Sequence, residues 1–130
     1  MERFLSKYSP YLYAILRILA GVMFAMHGSQ KLFGWPGGKA AVPVASLMAV
    51  AGPIELICGL MIAFAILTRY AAFIASGEMA AAYFLAHAPH GVLPIVNHGE
   101  LPVLFCFLFL DIAAQGSGVW SCDGITRRKM

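Results

Sequence analysis

Three histidines and a carboxylate lie close together in the second half of the chain. The segments HAPHG (87–91) and NHGELP (97–102) place His87, His90, His98 and Glu100 within fourteen positions. Imidazole and carboxylate groups transfer protons near neutral pH, and imidazole also binds metals such as zinc and copper. This spacing is compatible with three interpretations: solvated loop residues, a metal site, or a site that hydrogen-bonds a small polar head group.

Metal and haem binding have the least support among these interpretations. The H-x-x-H pair, His87 and His90, spans Pro89, so a regular helix does not hold the two rings on one face. A haem ligated by His27 and His87 has still less support. We therefore expect neither a metal nor a haem, while the solvated loop and the head-group site both stay open.

The rest of the chain is strongly apolar. Of its 130 residues, 61% are hydrophobic and 12% are charged, and the mean hydropathy is +0.80. Soluble domains carry roughly 25% charged residues, about twice the fraction found here. We therefore expect a single domain, residues 1–130, whose solvent is the lipid bilayer. The net charge of +3 gives no indication of nucleic-acid binding.

Four apolar segments are candidates for membrane-spanning helices. Spanning takes roughly 20 residues, which the first three segments reach and the fourth nearly reaches. Turn-forming residues such as Gly and Pro separate the segments. These features predict an all-α fold, a membrane-embedded up-down-up-down four-helix bundle. The helices are expected at about residues 11–34, 44–67, 70–88 and 100–116.

The distribution of Lys and Arg predicts the orientation of this bundle. Two positive charges, Lys31 and Lys39, are expected on one side of the membrane. The positive-inside rule places the side with more positive charges in the cytoplasm, and both termini with it. The histidine-rich loop would then face outward. The six charges expected on the cytoplasmic side are Arg3, Lys7, Arg69, Arg127, Arg128 and Lys129.

Ionisable residues within the apolar segments suggest function, because a charge inside the bilayer is costly. We expect Arg17 to pair with Asp111 or Glu78, which would be a structural role. Glu55 has no evident partner at its own depth, so a proton carrier, a protonated acid and a structural residue all stay open. Helical periodicity places such charges on faces with small residues, along which membrane helices approach closely. One stripe holds Arg17, Gly21, Phe24, Gly28 and Lys31, and another holds Gly52, Glu55 and Gly59.

Two polar residues near the start of the fourth segment have a structural explanation as well as a functional one. His27 is expected level with the histidine-rich loop, where Glu100 begins the fourth segment. An acid is favourable at a helix N-terminus, and Asn97 lies near an N-cap position. Capping therefore accounts for Asn97 and Glu100 about as well as a catalytic role does.

Four motifs, in order, resemble those of the DoxX family of small four-helix membrane proteins. They are HGSQKLFGW (27–35), GPIELICGLMIAFAILTRYAA (52–72), MAAAYFLAHAP with NHGELPVL (79–89 and 97–104), and GSGVWSCDG (116–124). The resemblance covers about residues 10–124. The last motif follows the pattern G-x-G-x-x-S-x-D but has Cys122 where an aliphatic residue is commoner, so we assign no chemistry to that cysteine.

The resemblance implies quinone chemistry in a bacterial inner membrane, because the family is named from a subunit of thiosulfate:quinone oxidoreductase. A quinone needs an apolar slot, an aromatic surface and donors at its two carbonyl oxygens. We expect four proton-transferring residues: His27, Glu55, His87 and Glu100. We expect five quinone-binding residues: Lys31, Phe33, Trp35, Tyr83 and Asn97. The aromatic residues among them are also typical of a membrane-interface belt.

Three functions fit these observations. The first is a quinone-interacting membrane subunit of an oxidoreductase or redox-stress complex, whose electrons come from a soluble partner protein or from a substrate bound outside. This follows because the sequence has no dinucleotide-binding glycine motif and no cysteine cluster. The second is a non-enzymatic scaffold or assembly factor. The third is a transporter of small solutes or metals that uses Glu55 and Glu78. The chain is also a candidate homo-oligomer, and whether it is itself an enzyme stays open.

Overall fold

The computed structural model describes residues 1–37 and 47–129, and the regular elements in these ranges are helices. A π-helical turn (Tyr83–His87) and a 3-10 turn (Ala88–His90) follow the fourth α-helix directly. The all-α prediction is confirmed for the described residues. The α-helices are α1 (Glu2–Ser6), α2 (Ser9–Phe33), α3 (Leu47–Phe64), α4 (Thr68–Ala82), α5 (Pro94–Asn97), α6 (Glu100–Gln115) and α7 (Cys122–Lys129).

The four longest helices, α2, α3, α4 and α6, lie over the four apolar segments of the sequence. The short helices α1, α5 and α7 were not predicted. The third segment was expected to be helical to residue 88, but its α-helix ends at Ala82 and the π-helical turn continues it. Residues 44–46, at the expected start of the second segment, and Lys39 lie outside the described residues.

Helix length alone identifies one candidate span. Within the described ranges, α2 is the helix that is both long and apolar enough to cross a membrane, and the apolar part of α3, Ala49–Phe64, is shorter. The 16 residues of α6 extend over about 24 Å at about 1.5 Å per residue, against a hydrocarbon core of roughly 30 Å. A bundle of four spanning helices therefore remains a prediction.

Residues with special backbone geometry end the long helices. Helix α2 begins with Pro10 in its first turn, where proline's missing N–H costs nothing. It ends at Gly34, which has a φ of 69° and donates its N–H to the carbonyl oxygen of Gln30 at 2.9 Å. Such a left-handed residue after a helix is a common C-terminal signal. Between α3 and α4 the chain turns at Ala65 and Leu67, which also have positive φ values.

Helices α2 and α3 pack closely because glycines line both sides of their contact. A Cβ atom added at Gly21 would lie 2.6 Å from the backbone N of Ala63, and one at Gly59 would lie 2.5 Å from the backbone N of Ala25. A Cβ atom at Gly28 would collide with the backbone of Leu56. These distances are below van der Waals contact, so only glycine fits. The glycine faces read from the sequence are thus confirmed as the helix contact.

An aromatic cluster joins α2 to α6. The ring of Phe24 lies 4.7 Å from that of Phe109 and 5.9 Å from that of Phe105, measured between centroids. Phe105 and Phe109 stack at 5.2 Å. All three side chains are buried. Helix α4 also packs on α6, and there the Ser76 hydroxyl donates to the carbonyl oxygen of Cys106 at 2.8 Å.

The distribution of polar and apolar side chains is the reverse of that in a soluble bundle. Large apolar side chains are exposed on the outer faces of all four long helices, for example Leu19, Ile57, Phe73 and Phe107. Soluble monomers seldom expose apolar surface so widely. Buried polar side chains lie between the helices instead: Arg17, Glu55, Thr68, Ser76 and Asn97.

Arg17 is fully buried and binds carbonyl oxygens instead of a carboxylate. Its guanidinium donates to the carbonyl oxygens of Ile62 at 2.7 Å and Ala63 at 2.8 Å, in the last turn of α3. It also donates to those of Val119 and Trp120, at 3.3 and 2.9 Å. The last carbonyls of a helix have no partner within the helix and carry partial negative charge. A guanidinium therefore satisfies several of them at once.

The prediction that Arg17 forms an ion pair with Asp111 or Glu78 is wrong. Among the described residues, Arg17 forms an ion pair with neither carboxylate. Asp111 accepts a hydrogen bond from Gln115, one turn further along α6. The helix C-terminus supplies the negative potential that we had assigned to a carboxylate.

Two further side chains cap helix ends near Arg17. The Arg69 guanidinium donates to the carbonyl oxygens of Ala113 and Ala114, at the C-terminus of α6. The Asp123 carboxylate accepts the backbone N–H of Leu67 at 2.8 Å and that of Thr68 at 2.9 Å, at the N-terminus of α4. The Tyr11 and Trp120 rings lie 5.4 Å apart, so the beginning of α2 and the segment before α7 are at this same end.

Candidate functional site

A cavity of about 250 Å³, here called the polar cavity, lies at the other end of the long helices. Residues from α2, α3, α4, the π-helical turn and the start of α6 form its wall. Its polar lining residues are His27, Lys31, Glu55, His87 and His98, and its apolar ones are Phe24, Met79, Ala82, Ala86, Leu101, Pro102 and Phe105.

Helix α2 contributes two of the polar groups. His27 and Lys31 are four residues apart, so they lie on the same face of the helix. The imidazole of His27 meets the ring of Phe105 edge-on, with centroids 6.4 Å apart. This face is the one that carries Gly28, where α2 and α3 are in close contact.

Glu55 forms an ion pair with Lys31, which corrects the expectation that it has no partner. Lys31 Nζ lies 2.5 Å from Glu55 Oε1. The Glu55 side chain is 1% exposed and that of Lys31 is 20% exposed. The glycine contact between α2 and α3 brings the two side chains together. The sequence analysis compared only the expected depths of residues in the membrane, and these do not show how α2 and α3 are aligned. A charge buried to this extent is tolerated only when it is paired.

Glu78 of α4 lies beside this ion pair, near enough to interact with the charges of both Glu55 and Lys31. Within the described part of the chain, Oε2 of Glu55 and Oε2 of Glu78 are buried and have no hydrogen-bond partner. One ammonium group thus faces two carboxyl groups, with acceptor capacity left over. Unsatisfied buried polar atoms of this kind often mark a site that binds a proton or a ligand.

A second cavity, here called the lateral groove, opens between α3 and α4 with a volume of about 540 Å³. Glu78 lines this groove and not the polar cavity. Lys31, Ala82 and Ala86 line both cavities, so the two adjoin each other along these residues. The remaining groove residues are Val50, Ala51, Ile54, Ile74, Ala81 and Leu85.

The π-helical turn directs His87 into the polar cavity. On a regular α-helix, His87 would point nearly opposite to Glu78, nine residues earlier. The wider π-helical turn over Tyr83–His87 changes this register, so Glu78 faces the lateral groove while His87 faces the polar cavity. Such π-helical turns occur frequently at functional sites. The sequence indicated a distortion here through Pro89, but not its form.

The position of His87 also determines which of its nitrogens carries hydrogen. Its Nδ1 lies 3.0 Å from the backbone carbonyl oxygen of Asn97. A carbonyl oxygen only accepts hydrogen bonds, so Nδ1 is the donor. In the neutral ring Nε2 then has the free lone pair. His87 is therefore held in the tautomer that accepts a proton at Nε2.

Asn97 and Tyr83 organise the loop around His87 instead of lining the polar cavity. The buried Asn97 side chain donates from Nδ2 to the carbonyl oxygen of Gly91 at 2.7 Å and to the Tyr83 hydroxyl at 3.2 Å. Its Oδ1 accepts the N–H of Gly99 at 2.8 Å. The Tyr83 hydroxyl donates to the carbonyl oxygen of Val92 at 2.6 Å. The N-cap of α6 is Gly99, so Asn97 stabilises the preceding turn rather than capping α6.

Four other residues that the sequence singled out do not line the polar cavity. Glu100 is exposed in the first turn of α6, where a negative carboxylate interacts favourably with the helix dipole. His90 is exposed in the 3-10 turn. Phe33 is the last residue of α2 and Trp35 lies just beyond it. Their side chains are 69% and 71% exposed.

Among the ionisable and aromatic lining residues, three were missed as site residues. His98 is exposed, as a solvated loop residue would be, and it also borders the polar cavity, from a left-handed conformation with a φ of 58°. Phe24 and Phe105 supply the aromatic wall that we had assigned to Phe33, Trp35 and Tyr83. Phe24 shares the stripe of His27 and Lys31 on α2, and this spacing was the available signal.

No group of three or more His, Cys, Asp or Glu residues in residues 1–37 and 47–129 is arranged to hold a metal ion. The arrangement is instead a set of hydrogen-bond donors and proton acceptors against an apolar and aromatic wall, which suits a small polar ring.

Comparison with known proteins identifies the family. The DoxX family model matches residues 12–88. An uncharacterized protein of Haemophilus influenzae is 44% identical over 126 residues, which cover 92% of this chain and 93% of that protein. No solved structure matches the chain. The chain therefore belongs to the DoxX family of membrane proteins.

Proposed function

We propose that this protein is the membrane subunit of a quinone-linked oxidoreductase or redox-stress complex, and that the polar cavity binds the quinone head group. In this proposal the four long helices all span the bacterial inner membrane, which thins locally around those that are short. The end that carries Arg17, Arg69 and Asp123 faces the cytoplasm, and the polar cavity faces outward. A soluble redox partner exchanges electrons with the bound quinone.

The observation that carries the proposal is the composition of the polar cavity wall. A quinone head group has two carbonyl oxygens, which need hydrogen-bond donors. Its ring is apolar and needs a flat or aliphatic surface to pack against. His27 and Lys31 supply donors, as does His87 when its Nε2 carries a proton, while Phe24 and Phe105 supply aromatic surface. Small-molecule sites generally combine a mostly apolar wall with a few converging polar groups of this kind.

The hydrogen bond of His87 and the ion pair of Glu55 leave atoms of the polar cavity wall that can exchange protons with a bound quinone. A quinone takes up two electrons and two protons when it is reduced to the quinol, and releases them on oxidation. His87, fixed through Nδ1, accepts or returns a proton at Nε2. Glu55, with one oxygen bound to Lys31 and the other unpartnered among the described residues, is a second group that can hold a proton.

Quinone titration against matched histidine variants tests the proposal. The purified protein is titrated with a short-chain quinone, as wild type, His87→Ala and His90→Ala. Both histidines lie in one loop, but His87 lines the polar cavity and His90 is exposed outside it. We expect His87→Ala to weaken binding by about tenfold or more, the scale of one lost hydrogen bond to a polar ligand, and His90→Ala to change nothing. Equal losses in both variants, or no saturable binding by wild type, would overturn the proposal.

Proton-coupled transport is a second candidate, favoured by the unpartnered oxygens of Glu55 and Glu78. These carboxyl groups lie where the polar cavity and the lateral groove adjoin. The protein is reconstituted into vesicles, and the proton-dependent flux of small solutes or metal ions is measured. A flux that is abolished by Glu55→Gln and retained by Glu100→Gln would favour transport. Vesicles without such a flux would leave the quinone proposal as the better account.

A further inference from the structure

The polar cavity is too small to hold more than a head group. Its volume is about 250 Å³, whereas ligand pockets in proteins are generally roughly 300–1,000 Å³. A ligand that is bound there and carries a long substituent must therefore extend into neighbouring space. The lateral groove, at about 540 Å³, is the adjoining space.

The boundary between the two cavities is thin. Ala82 and Ala86 form part of both walls, and an alanine presents only a methyl group. Lys31 is the third shared residue, and its ammonium group is drawn toward α3 by Glu55. A chain attached to a ring in the polar cavity would have to pass between the methyl groups of Ala82 and Ala86 and the stem of Lys31.

The groove itself is apolar beyond this boundary. Its α3 side is formed by Val50, Ala51 and Ile54. Its other side is formed by Ile74 and Ala81 of α4 and by Leu85 of the π-helical turn. In a bilayer an unattached acyl chain gains little from such a groove, because lipid tails are as apolar as the groove. A tail tethered to a bound head group is different, since attachment raises its effective concentration at the groove.

From this shared boundary we infer that the lateral groove holds the isoprenoid tail of the quinone whose head group occupies the polar cavity. The inference rests on the proposed function and narrows its substrate class. The substrates are lipid-soluble quinones with isoprenoid tails, which reach the site from within the bilayer, and not small water-soluble quinones.

Tail dependence of binding in lipid nanodiscs tests the inference. Two quinones with one head group are compared, one without a side chain and one with a long isoprenoid tail, with concentrations expressed per lipid. The variant is Ala81→Phe, which places a ring in the groove. Its matched control is Ala114→Phe, because Ala114 is an exposed alanine on α6 that is remote from the groove.

We expect wild type to bind the tailed quinone more tightly than the tailless one. Ala81→Phe should weaken binding of the tailed quinone by about tenfold while it leaves the tailless quinone unchanged, and Ala114→Phe should change neither. Equal binding of the two quinones by wild type, or an equal loss of both in Ala81→Phe, would overturn the tail site and leave the head-group site standing. If wild type binds neither quinone, the proposed function fails as well.

A photoreactive tail gives a second measurement that does not depend on a variant. A quinone with a diazirine at the end of its tail is bound to wild-type protein and irradiated, and the labelled peptides are identified. Labels at the groove residues of α3 and α4, competed by excess tailed quinone, support the inference. Labels spread over the outer faces of α2 and α6 would contradict it.

Discussion

Lys31 and Glu55 form an ion pair across the contact between α2 and α3, at the boundary between the polar cavity and the lateral groove. The pair joins two features of the molecule. Glycines bring the helices close enough for the contact, and the paired charges make a buried polar site tolerable inside an apolar bundle. Stability and ligand binding are therefore expected to depend on the same few residues.

The ion pair predicts strong coupling between its two residues. Lys31→Met leaves Glu55 and Glu78 without a cation and should destabilise the protein by about 3 kcal/mol or more. Glu55→Gln should cost less, because Lys31 can still interact with Glu78. The double variant should be more stable than Lys31→Met alone. Thermal unfolding in detergent measures the loss of stability in all three variants. If the losses of the two single variants add up to that of the double variant within about 0.5 kcal/mol, the two residues are not coupled.

The close packing of α2 on α3 predicts opposite effects for the same substitution at two glycines. Gly28→Ala places a methyl group against the backbone of Leu56 and should destabilise the protein by about 1–3 kcal/mol. Gly77→Ala on α4 has no atom within 4 Å of the new methyl group. It should leave stability unchanged or raise it by up to about 1 kcal/mol, because alanine favours a helix. Equal melting temperatures for the two variants would contradict this helix contact.

Asp123 predicts a pH-dependent contribution to stability. Burial would raise the pKa of the Asp123 carboxyl, but hydrogen bonds from Thr68 and Leu67, with the charge of Arg127, hold that pKa below its ordinary value of 3.8. Because the folded-state pKa is lowered, the stabilisation is complete above the ordinary pKa and is lost as pH falls through the folded value.

Asp123→Ala should therefore lower stability at neutral pH by about 1–2 kcal/mol, the scale of a helix N-cap. The difference between wild type and variant should shrink in acid below pH 3.8. Melting temperatures over a pH series give this difference, and Asp111→Asn, which removes an exposed carboxylate, is the control. A difference that stays constant down to the lowest pH would show that the Asp123 charge does not contribute.

The sequence predicted the four long helices and the faces on which α2 and α3 pack, because these depend on local periodicity. The stripe that runs from Arg17 through Gly21 and Gly28 to Lys31 is the face of α2 that packs on α3. Apolar segment lengths and turn residues located the four long helices. The family assignment also followed from short motifs distributed along the chain.

Partners across helices could not be predicted in the same way. Arg17 was expected to bind a carboxylate and binds carbonyl oxygens at the end of α3, because helix ends offer a negative potential that residue types do not display. Glu55 was expected to be unpaired, and the partner that it has depends on how α2 and α3 are aligned.

The geometry of the histidine loop was also beyond prediction from residue types. His87 reaches the polar cavity through a π-helical turn, and periodicity assumes a regular helix. Asn97 is buried as the centre of hydrogen bonds within the loop, a role that its position before Glu100 did not distinguish from capping.

Quinone that co-purifies with the protein tests the central claim most directly. The protein is isolated in mild detergent from the cells that produce it, and its bound lipids are extracted and quantified by mass spectrometry. We expect quinone in the wild-type extract, with at most one molecule per chain, and a strong reduction in His87→Ala but not in His90→Ala. Quinone at the same level in wild type, both variants and an unrelated membrane protein would contradict a quinone site in the polar cavity.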